Sequence, residues 1–178
     1  MTFATTSLRA AGALTAGLLT LGMLAACTPE PNPTPTKTAL FASDEEAFAA
    51  AEKTYRAYND AENDHRRGGD DDPQDYLIGS ALEGYIDGQR ALQEAGLSLE
   101  GDIAVLSFEG DPASIERHGK RVMATVCLDI SHTTTHSSSD VEIADRPPVI
   151  AQQIEMTWVH DSYLISKELD AENELCGG

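Results

Sequence analysis

Two histidines spaced four residues apart, His132 and His136, are the residues whose type and spacing first suggest metal chemistry. On a helix, side chains at this spacing share one face and can chelate a single ion. The residues between them are all threonine, which favours extended structure, and there the two imidazoles would lie about 13 Å apart. That separation is too great for one ion and no third ligand has a fixed spacing, so we predict a solvated polar loop, no metal and no cofactor.

The thiol of Cys27 lies in a second motif that implies a chemical reaction. It follows Leu24-Ala25-Ala26, and residues 1–26 hold one charge, Arg9, before the apolar stretch 10–23. This arrangement resembles the signal peptide and lipobox of bacterial lipoproteins, in which the thiol is alkylated with diacylglycerol and the chain is then cleaved between Ala26 and Cys27. The apolar stretch is short for a transmembrane helix, which needs about 20 residues, although an uncleaved N-terminal anchor is the alternative.

The lipoprotein resemblance divides the chain into three parts. Residues 1–26 would be a signal peptide that is removed, residues 27–40 the lipidated cysteine and its tether, and residues 41–178 one domain. The tether has proline at every second position from Pro29 to Pro35, a pattern that excludes helix and favours extended polyproline II. Acyl chains such as palmitate on Cys27 would hold the domain in the cell envelope, at the extracytoplasmic face of the cell membrane.

The charge of the chain restricts its partners. Thirty acidic residues outnumber twelve basic ones, and the formal net charge is −18. Such a chain is repelled by nucleic acid and by anionic surfaces, so we expect no nucleic-acid partner. A cationic ligand is compatible with this charge, although an acidic surface commonly serves solubility alone.

The two remaining cysteines, Cys127 and Cys176, are predicted to form a disulfide. An extracytoplasmic location is oxidising, and an even pair of cysteines there indicates a bridge. Closing a loop of about 50 residues would stabilise the fold by roughly 4 kcal/mol in the chain-entropy model. Two free thiols are the alternative.

The first half of the domain has helical patterns. Ser43-Asp44-Glu45-Glu46 is a capping box that predicts the start of a helix. An apolar stripe then extends to about residue 64 and contains Phe48, Ala51, Tyr55 and Tyr58. Asp72-Pro73 predicts a second start and Gly96 a left-handed helix end.

The second half has the alternation of strands. We predict a strand kinked at Gly101, a long strand over 121–130, and a hairpin with its turn at Asp161-Ser162. The last strand carries Tyr163, Ile165 and Leu169 on its apolar side. This order predicts an α+β fold in which two to three N-terminal helices pack on a strongly curved antiparallel sheet of about four strands.

Three segments carry a resemblance to a known superfamily: residues 48–58 of the first helix, residues 126–131, and Met156-Thr157-Trp158-Val159. Over about residues 40–175 the chain resembles the nuclear transport factor 2-like (SnoaL-like) superfamily. The resemblance implies a cone-shaped domain whose helices close a conical pocket over the curved sheet. It implies no particular activity, because this fold hosts isomerases, dehydratases and binding domains.

Enzymes of this superfamily place an acid–base Asp or His, sometimes with a Tyr, in an apolar pocket. Burial tunes such an acid to move a proton, and a donor stabilises the developing oxyanion. The resemblance therefore makes Asp129 a candidate, with Tyr55 or Tyr58 on the facing helix. Asp129 alternates with apolar residues and is expected to face away from them, and tyrosines on an apolar stripe are typical core residues.

We therefore predict a non-enzymatic, membrane-anchored lipoprotein that binds a small apolar ligand or an envelope protein. The alternative is an isomerase- or dehydratase-like enzyme, which requires Asp129 or another acid to point into the pocket. A pocket without an acid would favour ligand binding alone, whereas a filled core with an exposed apolar patch would favour a protein partner.

Overall fold

The computed structural model describes residues 40–116, 119–137 and 146–177. The predicted signal peptide, the lipobox and nearly all of the tether lie outside these residues. The described elements are, in chain order, α1 Asp44–Arg66, α2 Gly79–Ala95, β1 Leu97–Glu100, β2 Ala104–Gly110, β3 Arg121–Asp129, β4 Thr134–Ser137, β5 Val149–Val159 and β6 Ser162–Ala171. None of the described helices is long and apolar enough to cross a membrane.

Both predicted helix starts are present. The Ser43 side chain accepts a hydrogen bond from the Glu46 amide at 3.2 Å, and the Glu46 carboxylate accepts one from the amide of Ala42, at 2.6 Å. Asp72 accepts from the Gln74 amide and begins a short 3-10 turn that precedes the longer helix α2, as expected for a second helical start at Asp72-Pro73. The later helix, α2, ends at Gly96, whose φ of 64° is the left-handed conformation expected there.

The strands form two antiparallel sheets, one with the order β2-β3-β5-β6 and one that pairs β1 with β4. The large sheet has the predicted number of about four strands, but the described residues contain six strands in all, because β1 and β4 form a second sheet that was not predicted. The chain through Gly101 is not one kinked strand, because this residue has a φ of 90° and a Cβ on it would lie 2.1 Å from the His132 carbonyl oxygen. Only glycine permits so close an approach, and the chain leaves the small sheet here to enter the large one.

The core lies between the sheet and the helices. The alternation predicted for β3 is confirmed, because its residues Val122, Ala124 and Val126 are buried on one face. They pair with Met156, Ile154 and Gln152 of β5. The helix stripe packs on this inner face, so the molecule is an α+β structure with helices on one side of an antiparallel sheet.

The β5–β6 hairpin turns one residue earlier than predicted. Val159 pairs with Ser162, and the turn consists of His160 and Asp161, with φ values of 47° and 80°. Two consecutive positive φ values match the twist of the strands in a two-residue hairpin. The prediction of an Asp161-Ser162 turn is therefore wrong.

The predicted disulfide is present on the outer face of the sheet. Cys127 of β3 is bonded to Cys176, and their Cα atoms are 5.6 Å apart. The short 3-10 turn Asn173–Cys176 that brings Cys176 there is also held by Asn173, whose side-chain oxygen accepts from the Ala151 amide at 3.0 Å. The C-terminal segment thus covers part of the outer face.

Candidate functional site

A bulge of one residue in β6 places an acid on the inner face of the sheet. Ile165 pairs with Met156, but Lys167 pairs with Glu155, so Ser166 is the extra residue. Beyond it the faces exchange, because the side-chain period of a strand is two. Glu168 therefore lies opposite the fully buried Ile154 and faces the helices.

The same bulge overturns the prediction for the end of β6. Leu169 was expected to share an apolar face with Tyr163 and Ile165, but it is 44% exposed on the outer face. Tyr163 and Ile165 precede the bulge and are buried as expected. The one-residue insertion has no signal in the local pattern.

Glu168 is partly buried and lacks a partner. Burial raises the pKa of its carboxyl group to about 7, and the nearby carboxylate of Glu62 adds to this shift. Within the described residues, no side chain or amide donates a hydrogen bond to this carboxylate and no cation pairs with it. Glu168 therefore titrates near neutrality and retains its capacity to accept hydrogen bonds.

Tyr58 of α1 faces the same place. Tyr58 is only 6% exposed. Burial raises the pKa of its hydroxyl, and the negative charges of Glu62 and Glu168 raise it further. Its hydroxyl has no hydrogen-bond partner within the described residues. No fully enclosed side-chain N or O atom in that part of the chain lacks a partner, so the hydroxyl of Tyr58 must open onto accessible space.

Two further tyrosines complete the surroundings. Tyr55 lies beside Tyr58, with ring centroids 5.9 Å apart, and its hydroxyl donates to the side-chain oxygen of Gln152 at 3.1 Å. The pKa of Tyr85 in α2 is raised by burial and by Glu62. We call Tyr55, Tyr58, Glu62, Tyr85 and Glu168 the carboxylate–tyrosine site.

Two members of the carboxylate–tyrosine site, Glu62 and Tyr85, each line a groove at α2 and β1. The first is about 420 Å³ and is lined by Glu62 together with residues of α1, α2 and β1. The second is about 480 Å³ and is lined by Tyr85 and by small and apolar residues of α2. Because Leu92 and Leu97 line both grooves, the two are adjacent. Both volumes are within the range of small-molecule sites, and both grooves are open to solvent along one side.

The position of Glu62 is fixed by the end of α1. Arg66 lies 3.2 Å from the Glu62 carboxylate and also donates to the Gly101 carbonyl oxygen at 3.2 Å. Asn63 accepts from the Ile103 amide and donates to its carbonyl oxygen, at 2.9 Å in both cases. These contacts connect the segment between β1 and β2 to the end of α1 beside the groove.

The sequence candidates for catalysis are separated by the sheet. Asp129 pairs with Val149 on the outer face, and hydrogen bonds from Ser131 lower the pKa of its carboxyl group. It cannot reach the inner face and is excluded as the pocket acid. Tyr55 and Tyr58, the other two candidates, both lie in the carboxylate–tyrosine site.

The histidine candidates lie in and before the small sheet. His132 is exposed in the turn that precedes β4, and His136 of β4 has its Nε2 atom 3.3 Å from a carboxylate oxygen of Glu100. No group of three or more His, Cys, Asp or Glu side chains suited to a metal occurs in the described part of the chain. The segment is thus extended, as its threonines predict, and His136 lies in a strand rather than in a solvated loop.

The sequence interpretation missed Glu62, Tyr85 and Glu168. Glu62 follows Tyr55 and Tyr58 at helical spacing, so the stripe on α1 contained a signal for it. Tyr85 lies on the apolar pattern of α2. No such signal exists for Glu168, because its direction depends on the bulge at Ser166.

No protein-family model and no curated protein matches the chain. Two solved structures are similar to it, each with a TM-score of 0.39 and 14% sequence identity. One is the intermembrane space region of the chloroplast protein ARC6, with 72% of this chain and 95% of that chain covered. The other is a protein proposed to be a polyketide cyclase from Xanthomonas campestris pv. campestris, with 74% and 96% covered. At this TM-score neither likeness carries an argument, and the superfamily resemblance stays a prediction.

The class of the protein is therefore described from its fold and its candidate site alone. The chain is an α+β protein whose helices pack on one face of an antiparallel sheet. It holds two acids and three tyrosines between these layers.

Proposed function

We propose that the chain is a bacterial lipoprotein that is anchored through Cys27 at the extracytoplasmic face of the cell membrane and binds a small ligand at the carboxylate–tyrosine site. The observation that carries the ligand proposal is the hydroxyl of Tyr58, which opens onto accessible space from an otherwise buried residue and has no partner in the described residues, beside the unpartnered Glu168. Partial burial leaves such groups incompletely solvated, which costs free energy. A ligand with complementary polar groups would recover that cost.

Two observations support the anchor. Leu24-Ala25-Ala26-Cys27 has the residue types of a lipobox, and the Cys127–Cys176 disulfide suits an oxidising compartment. Metabolic labelling with palmitate tests it in a bacterial host that processes lipoproteins. We expect label in the wild type and none in Cys27→Ser, with Thr28→Ala as the control that keeps the label. Label retained by Cys27→Ser would contradict the anchor.

The grooves beside the carboxylate–tyrosine site favour a small ligand, because they have the volume of a ligand site. The exposed large apolar side chains of the described residues do not line these grooves, and they are Leu40, Ile86, Leu106, Leu169 and Leu175.

Native mass spectrometry of the full-length chain tests ligand binding. The protein is extracted unreduced in a mild detergent and incubated with a small-molecule extract of the producing cells. We expect a discrete added mass that is released on unfolding and is absent from the double variant Tyr58→Phe/Glu168→Gln. The exposed acid Glu109 provides the control, because Glu109→Gln makes the same change of charge away from the site. A bare wild-type mass after incubation would sink the proposal.

A second candidate function is acid–base catalysis at this site. It is favoured by the pKa of about 7 of Glu168, since a carboxylate tuned to neutral pH can both take up and release a proton. The hydroxyl of Tyr58 would then donate to a developing oxyanion. Conversion of the bound compound by the wild type, lost in Glu168→Gln while the compound still binds, would identify an enzyme. Release of an unchanged compound would identify a binding protein.

A further inference from the structure

The carboxylate–tyrosine site has an excess of negative charge. Glu62 and Glu168 interact electrostatically, and the cation recorded beside them is Arg66, which pairs with Glu62. Arg66 is also engaged with the carbonyl oxygen of Gly101 and with Asn63. It therefore cannot neutralise Glu168 as well, and the site can accept one more positive charge.

The acceptors of the site match the donors of an ammonium group. The Glu168 carboxylate has no donor in the described residues, and the hydroxyl oxygen of Tyr58 has no partner there. Glu62 contributes a third acceptor that Arg66 uses through one oxygen in the recorded ion pair. A primary ammonium carries three N–H donors. The ring of Tyr85, which lines the adjacent groove, is an aromatic surface of the kind that attracts a cation.

A metal ion fits this site less well than an ammonium. Calcium takes six to eight oxygen ligands, and magnesium takes six in a near-octahedral arrangement. The site offers two carboxylates, one of them already paired with Arg66. The described residues contain no cluster of three or more metal-binding side chains at this or any other place.

The groove beside Tyr85 suits an apolar group attached to the charge. Its walls are Gly84, Tyr85, Gly88, Ala91, Leu92 and Leu97, together with Gln89. A Cβ built on Gly84 or Gly88 would meet nothing within 4 Å, so these positions leave open space along α2. An alkyl chain could lie there and exclude water from the leucines.

From this arrangement we infer that the carboxylate–tyrosine site takes a protonated primary amine with an apolar body. The ammonium group binds Glu168, Glu62 and the hydroxyl of Tyr58, and the apolar body lies in the groove along α2. The inference rests on the proposed function and names its ligand class. The acidic chain, with a net charge of −18, also attracts such a cation from solution.

Isothermal titration calorimetry with a matched pair of probes tests the inference on the full-length protein in a neutral detergent. The probes are n-hexylamine and hexan-1-ol, which have equal chain lengths and differ in charge. The titrations are made at about pH 8, where Glu168 is ionised and the amine is protonated. We expect hexylamine to bind at least roughly tenfold more tightly than hexan-1-ol.

Variants locate the binding within the site. Glu168→Gln should weaken hexylamine binding by roughly tenfold or more, and Tyr58→Phe by less, because it removes one neutral acceptor. Glu109→Gln should leave the affinity unchanged. Circular dichroism of each variant verifies that it is folded, and the amine-to-alcohol ratio on the wild type needs no variant at all.

The outcomes separate the two levels of the proposal. Equal binding of amine and alcohol, or displacement of hexylamine by millimolar calcium chloride, would overturn the amine inference while leaving a ligand site. Binding of neither probe, combined with a bare mass after incubation with the cell extract, would overturn both the inference and the proposed function. Hexylamine binding that survives Glu168→Gln would place the amine elsewhere and overturn the assignment.

Discussion

Two tyrosines of the same core, Tyr163 and Tyr58, differ in what the protein provides for their hydroxyls. Tyr163 is fully buried, donates to the carbonyl oxygen of Gly119, and has a pKa raised by burial to about 12. Phe41 stacks on its ring and Trp158 meets it edge-on, with centroids 5.7 and 5.2 Å away. Tyr58 is almost as buried, yet its hydroxyl has no partner in the described residues.

The contrast distinguishes a region built for stability from one built for binding. Around Tyr163 the chain itself supplies the hydrogen-bond partner of the buried hydroxyl, which is the carbonyl oxygen of Gly119. Around Tyr58 an acid and a hydroxyl remain unpaired, at a cost in stability that proteins tolerate where a ligand completes the site. The bulge at Ser166 separates the two regions along β6, because Tyr163 precedes it and Glu168 follows it.

The largest expected effect is a loss of stability that affects the Tyr163 region and the Tyr58 region alike. Replacing Cys127 and Cys176 together by serine should lower the free energy of unfolding by roughly 4 kcal/mol, since the bridge closes a loop with a sequence separation of 49 residues. Urea denaturation measures this. Reduction of the wild type with dithiothreitol is the matched control and should give a similar loss. A loss below about 1 kcal/mol would mean that the bridge does not constrain the unfolded chain as this entropy estimate assumes.

The next effect belongs to the Tyr58 region and depends on pH. The pKa of Glu168 is about 7 in the folded protein and near 4.5 as its ordinary value, so its protonated form is favoured by folding. Its contribution to stability is full below about pH 4.5 and is lost as the pH rises through about 7. The titratable groups that face Glu168 from α1 are Glu62, Tyr55 and Tyr58.

Glu168→Gln isolates this contribution. We compare the free energy of unfolding of the variant with that of the wild type at each pH. Between about pH 4 and about pH 8 this difference should shift in favour of the variant by roughly 2–3 kcal/mol. Urea denaturation across this pH range gives the difference, with Glu109→Gln as the control that shows no such trend. A wild type and Gln variant with parallel pH curves would show that Glu168 is not buried as described.

Removing single hydroxyls makes the comparison directly. Tyr163→Phe should lower the free energy of unfolding by about 1–2 kcal/mol, because the buried Gly119 carbonyl loses its donor. Tyr58→Phe should change it by less than about 0.5 kcal/mol or stabilise the protein slightly, since no described partner is lost. Equal losses in the two variants, measured by thermal unfolding, would end the distinction between the regions.

The smallest expected effect concerns the acid on the opposite face. Asp129→Asn should leave hexylamine affinity unchanged within about twofold, because the Asp129 side chain lies on the outer face of the sheet and accepts from the Ser131 amide at 2.8 Å. Calorimetry with the same probe measures it beside Glu168→Gln. A large loss of affinity in Asp129→Asn would mean that the ligand does not bind on the inner face.

Part of the fold could be predicted because its signals are local. The capping box at Ser43, the stripe of Ala51, Tyr55 and Tyr58, and the left-handed Gly96 each depend on neighbours within a few residues. The alternation of β3 is also local, since every inward residue is apolar. The second sheet was not predicted because β4 exists through its pairing with β1, which lies more than thirty residues earlier.

Only the part of the candidate site that lies on α1 could be predicted from the sequence. The sequence by itself determined Tyr55, Tyr58 and Glu62 as one face of α1, because a helix of 3.6 residues per turn fixes their relation whatever it packs against. It also determined that Asp129 alternates with buried residues and so faces away from them.

Tertiary structure alone decided which acid joins these tyrosines. Pairing of β6 with β5 requires an extra residue at Ser166, and a shift of one residue in a strand moves every later side chain to the other face. Leu169 therefore turns outward and Glu168 inward, although the sequence pattern indicates the opposite. The reason is that strand faces are set by hydrogen bonds to a distant partner, whereas helix faces are set within the helix itself.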